Sequence, residues 1–229
     1  MTLEYEFTGI RIQDGYLTPV DWELKVDLIA PNKKGKAKEL IEHDASLTYQ
    51  KLYFWLDTNL PSVTLVDVCH EDDLYLANLT SNIMMYCPGN PSDDLIIQLL
   101  HAKLSTLASP DLIVSEVKLK GSDTSIKYTF DSEDGDYVLP STTSEYYTEG
   151  IARDVKPWWF RNDGFCFEFI RPAPEEGKED EEGDKVFEGI VDPLNEFYKI
   201  MEDVDKINVM KEPARIVQVE KWKPKKVEE

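Results

Sequence analysis

Apolar and polar residues alternate along the first thirty positions. In 3–13 ("LEYEFTGIRIQ") every second side chain is apolar or aromatic over most of the run. In "DWELKVDLIAP" Trp22, Leu24, Val26 and Leu28 share one face. Period-two alternation marks strands with one buried face, and the Asp14-Gly15 pair between them is a turn signal, so a long antiparallel hairpin is expected. The period then lengthens. Leu47, Leu52, Tyr53 and Leu56 in 46–57 have near-helical spacing, with Ser46 as the expected N-cap. "PSVTLVDV" is read as a short strand, and 69–86 as helix or irregular structure. In 90–107 Ile96, Leu99, Leu100, Leu104 and Leu107 form a helical stripe. Ahead of it, Asn90 is expected to cap the helix, Pro91 to occupy its first position, and Asp93 and Asp94 to meet the positive end of its dipole.

A second hairpin is predicted from "DLIVSEVKLKGSD" and "TSIKYTFD", turning at 121–123. Beyond it lie strand-like pieces, "GDYVLP" and "GFCFEFIRP", then the acidic run "APEEGKEDEEGDK", which is too polar to order itself. A helix in "DPLNEFYKIMEDVDKI" and a charged tail complete the chain. The organisation expected is α+β: an antiparallel sheet of two hairpins with helices on one face over 1–131, a strand-rich extension over 132–172, an acidic linker over 173–185, and a helix with its tail over 186–229.

Composition narrows the functions. The 229 residues carry 25 Lys plus Arg against 45 Asp plus Glu, a net charge of −20. So negative a chain repels nucleic-acid phosphates and anionic lipid heads, which argues against nucleic-acid binding and favours solubility, cationic partners or mimicry of a polyanion. Cys69, Cys87 and Cys166 are too few and too scattered for a disulfide framework or a zinc ribbon. The N-terminus has no basic stretch leading into an apolar one, so no signal peptide is expected, and no run is long and apolar enough to span a membrane. These features point to the cytoplasm or another reducing compartment, or to a virion.

Candidate chemistry is sparse. "PGNPSDD" (88–94) does not suit a phosphate loop, because Pro91 has no N–H to donate and two carboxylates occupy the end of the helix that a phosphate would need. Of the three histidines, His43 precedes a helix, His70 lies in the acidic "CHEDD", and His101 sits mid-helix. Adjacent Cys69 and His70 point in different directions on most backbones, so no metal site is expected there, and no cofactor is implied. Adjacent Trp158 and Trp159, with Arg161 close by, would face opposite ways on a strand. One ring could then be core and the other, beside Arg161, an interface anchor; the plainer expectation is that both are buried, in the core or in a small satellite cluster.

The order hairpin, helix, helix, hairpin, and the phrases "FWLDTNLPSV", "NPSDDLIIQLLHAKL", "DLIVSEVKL" and "TSIKYTF", resemble the tunnelling-fold (T-fold) proteins of the 6-pyruvoyl-tetrahydropterin and 6-carboxy-tetrahydropterin synthase family. The resemblance covers about 3–131. It implies that Glu116 in "VSEV" matches the family's ligand-anchoring Glu, which would accept two N–H bonds from a pterin or purine edge. It also implies that Asp57 in "LDTN" matches the Asp of an L-D-H segment whose His is here Thr58. The family's zinc histidines have no counterpart in "YEFTGIRI" or "TPVDWELKV", and its catalytic Cys is missing. The expectation drawn is a non-catalytic T-fold-like protein acting in assembly or protein interaction, as a homo-oligomer or within a larger, viral-type particle. Two alternatives stand beside it: a metal-independent enzyme or binding protein for a pterin or purine, anchored by Glu116, and an acidic mimic of DNA that inhibits a nucleic-acid-binding protein.

Overall fold

The computed structural model describes residues 1–31, 35, 37–80, 82–121, 124–129, 139–146, 156–167 and 192–209. The two longest strands, β1 (Thr2–Gln13) and β2 (Tyr16–Ile29), pair antiparallel over the whole of β1, from Thr2 opposite Asp27 to Gln13 opposite Tyr16. Asp14 and Gly15 turn the chain with φ of 51° and 79°, the left-handed pair that suits the twist of a two-residue hairpin. The second expected hairpin is β5 (Ile113–Lys120) with β6 (Ser125–Tyr128), closed by Gly121 N–H donating to Thr124 O at 2.9 Å. It lies antiparallel beside β2.

Between the hairpins come α1 (Lys38–Asn59), β3 (Val63–Asp67), α2 (Glu71–Ala77), β4 (Met84–Cys87) and α3 (Asp93–Ala108). β3 and β4 run parallel to β1 and extend the sheet on its far side, so the six strands stand in the order β4-β3-β1-β2-β5-β6. The fold is α+β with helices packed on the sheet, as expected, but the sheet is mixed rather than wholly antiparallel. Val63, Leu65, Met85 and Cys87 join the main core, while Val66 lies in a second, smaller cluster with Ile12 and Ala77. Both faces of this wing are thus apolar. α1 and α3 pack on one face of the sheet, α3 against β5 and β6, and the short α2 packs on the other against β3 and β1.

Two helix starts differ from those read in the sequence. α1 begins at Lys38, not Ser46; its first two turns are largely exposed and so carry no apolar stripe to read. α3 begins at Asp93, and its cap is Ser92, whose hydroxyl accepts from Leu95 N–H at 3.3 Å. Asn90 lies outside the helix and accepts Ser92 N–H through its backbone carbonyl. Gly9 is required by close packing: a Cβ there would stand 2.6 Å from Val63 O, where β1 and β3 meet.

The chain divides into one compact unit over Met1–Leu194 and a second over Asn195–Glu229. Leu139, Tyr146, Trp158, Trp159 and Cys166 belong to the first unit's main core, so the described parts of 132–172 pack into it, and they are short 3-10 turns and irregular chain rather than strands. The helix expected near the end is α4 (Leu194–Val209). The acidic run 173–185 and the tail beyond 209 lie outside the described residues. Among those described, no helix is long and apolar enough to cross a membrane.

Candidate functional site

Glu116 sits just past a bulge. Asp27 pairs with Glu116, but Leu28 pairs with Val114, leaving Ser115 as the extra residue, its hydroxyl donating to Asp27 O at 3.0 Å. Val114 and Val117 point into the core. The Glu116 carboxylate lies on the opposite face and accepts from the ammonium groups of Lys118 and Lys127. Those bonds, Lys118's foremost, hold its carboxyl below the usual carboxylate range. Asp57 is exposed on α1, on the helix-covered side of the sheet, and accepts from Tyr5 OH at 3.1 Å. The two carboxylates matched by the resemblance therefore lie on opposite faces and are not brought together.

Trp158 and Trp159 are both fully buried, in a 3-10 turn over Trp158–Phe160. Burial of both agrees with the plainer of the two expectations and leaves neither ring as an exposed anchor; the segment is not a strand, and the rings meet edge to face at 5.6 Å. Trp158 Nε1 donates to Tyr86 O at 2.8 Å, and Trp159 packs against Tyr146. Arg161 is likewise turned inward, its Nε donating to Asp163 Oδ2 at 2.7 Å and its Nη2 to Phe167 O at 2.9 Å.

What fixes this turn is a residue the sequence reading passed over. Lys103 is wholly buried in α3, and its ammonium donates to the carbonyls of Trp158, Arg161 and Asp163 at 3.0, 2.8 and 2.7 Å. Burial pushes its pKa down to about 8 against the opposing charge of Asp163. The signal was present: 103 follows 96, 99 and 100 at the spacing of the buried stripe, so a Lys there has to find partners inside.

At the carboxyl end of β1, Arg11 and Thr124 both donate to Asp93 in the first turn of α3, and Trp22 Nε1 donates to the same carboxylate at 3.3 Å. Burial pushes the Asp93 carboxyl up, but the bonds from Thr124 and Arg11 outweigh it and leave it below its ordinary value. The start of α3 is thus filled from within, as expected of a cap rather than a phosphate loop. His70 caps α2, accepting from Asp73 N–H at 3.4 Å. Among the described residues no group of three or more His, Cys, Asp or Glu side chains is placed to hold a metal ion.

No family model and no curated protein matches this chain.

One further surface stands out. β3 pairs with β1 only at Gly9, Ile10 and Arg11, so Thr2–Thr8 has no strand on that side among the described residues. α1 runs beside this stretch with Tyr49, Tyr53 and Asp57 one turn apart. Tyr49 OH donates to Thr2 O at 3.4 Å, the Tyr5 and Tyr53 rings meet edge to face at 5.8 Å, and Asp57 holds Tyr5 OH. Burial, then the Asp57 charge, push the Tyr5 phenol up.

Proposed function

We propose that this chain is a non-catalytic interaction protein of T-fold-like organisation that works as part of an assembly. The observation supporting this reading is the state of its chemically capable groups. Glu116 holds two lysines, Lys103 holds three carbonyls, and Asp93 holds Arg11 and Thr124. Each stabilises the fold, and a substrate would have to displace those partners. A pterin or purine at Glu116 would have to displace two ammonium groups.

The open face of β1, β2, β5 and β6 mixes both signs, with Lys25 on Glu4 at 3.0 Å and Lys120 on Glu23 at 2.8 Å. It offers no continuous negative stripe of the kind that mimicry of a polyanion requires. The sheet ends on one side in β6, whose outer edge has no strand beside it among the described residues and so offers unpaired backbone groups to another chain.

The test is a thermal-shift screen with pterins, guanine and GTP on the wild-type chain and on Glu116→Gln. No ligand-dependent shift is expected in either. A stabilisation present in the wild type and lost in the variant overturns the proposal in favour of a small-molecule binder.

A further inference from the structure

The backbone of β1 defines what its free stretch offers. Met1 and Leu28 exchange both backbone hydrogen bonds at 2.8 Å. In an antiparallel ladder this sets the odd residues of β1 toward β2 and the even ones away from it. Ile10 meets β3, Thr8 O is taken by Ser62 N–H, and Thr2 O by Tyr49 OH. The N–H and C=O groups of Glu4 and Glu6 face outward with no strand opposite them among the described residues. The stretch from Thr2 to Thr8 is roughly 20 Å long, enough for a strand of ordinary length. It contains no Pro and no bulge, the usual means of blocking an edge.

The walls select the occupant. On the solvent face stand the exposed side chains of Glu6 and of Glu4, whose carboxylate also accepts from Lys25 of β2 at 3.0 Å, and on the helix face the rings of Tyr49 and Tyr53 with the Asp57 carboxylate. A second copy pairing here would set Glu4 and Glu6 against the same residues, and like charges across a ladder repel. A strand bearing Lys or Arg at alternate positions would meet Glu6 directly and share Glu4 with Lys25, and its intervening side chains would rest on the tyrosine rings.

We propose that the free edge of β1 and the Tyr49–Tyr53–Asp57 stripe of α1 receive an extended, basic segment of a partner protein as an added strand. Main-chain bonds would supply the affinity, and the alternating side chains the selectivity. The inference rests on the interaction reading above and names the partner's chemistry.

Two labelled seven-residue peptides test it by fluorescence anisotropy: one alternating Lys and Val, the other of the same composition with its lysines in one block. The alternating peptide is expected to bind at least tenfold more tightly, since the block peptide matches its charge but not its pattern. Glu6→Pro removes an N–H that points away from β2, so the hairpin keeps its bonds while the added strand loses one. The paired variant Glu4→Lys/Glu6→Lys reverses the charge. Each is expected to weaken the alternating peptide at least tenfold. Hydrogen exchange on the wild-type chain is an independent readout: the Glu4 and Glu6 amides should become protected on adding the alternating peptide. Equal binding of both peptides, or amides left unprotected, overturns the proposal. Protection that rises with protein concentration and needs no peptide also overturns it, in favour of a second copy. The first two results leave the mass of the assembly as it is, and the third, self-association, supports the interaction reading, so failure here is separable from failure of that reading.

Discussion

Lys103 is the residue on which most of the inner packing of 156–167 depends. Its ammonium satisfies three carbonyls in a region from which water is excluded. Replacing it with Met keeps the length but leaves those carbonyls without their donor, and breaking a buried, hydrogen-bonded charge typically costs about 3–5 kcal/mol. Lys103→Met is therefore expected to lower unfolding free energy by about 3 kcal/mol or more in urea titration. His101 makes a second residue-scale prediction. It is buried beside Tyr128 at 5.0 Å, and burial pushes its pKa down to about 4, against a backbone hydrogen bond with Val114. Its folded pKa lies below the unfolded value of about 6.5, so the unfolded chain takes up the proton first. Stability is therefore lost as pH falls from about 6.5 toward 4, by about 3 kcal/mol in all. His101→Gln does not titrate, and its stability measured across that range should fall less steeply. Neither role was read from the sequence, because a Lys or His on a helix is by default assigned to solvent, and only its place within an apolar stripe argues otherwise.

At the scale of elements, legibility followed burial. β1 and β2 have one apolar face along most of their length, so alternation revealed them and their turn. α3 was found from its stripe, but its start was set two residues early, because Asn-Pro resembles a cap and first turn while the backbone places Ser92 there. Ser92→Ala should cost about 1 kcal/mol, whereas Asn90→Ala, outside the helix, should fall within about 0.5 kcal/mol of wild type in thermal or urea unfolding. If the two effects were reversed, the assignment of the cap would fail. α2 and β4 gave no clear period. They are short, and this wing of the sheet is buried on both faces, so alternation is lost. The two tryptophans are both buried because a 3-10 turn, unlike a strand, can hold adjacent rings on one side.

For the molecule as a whole, the two-hairpin frame with α1 and α3 was legible, and the parallel pairing of β3 and β4 was not, since pairing between distant strands leaves no local pattern. The same non-local fact leaves Thr2–Thr8 of β1 without a strand on that side among the described residues, because β3 pairs with only three residues of β1. A small part of the negative charge stands along that edge, in Glu6, Asp57 and Glu4, the last paired with Lys25. The central claim is that this chain works in an assembly built on copies of itself, through a surface other than the β1 edge. Size-exclusion chromatography with light scattering at micromolar concentration tests it most directly. The account predicts a mass that is a multiple of 26.4 kDa; a single species of 26.4 kDa would contradict it.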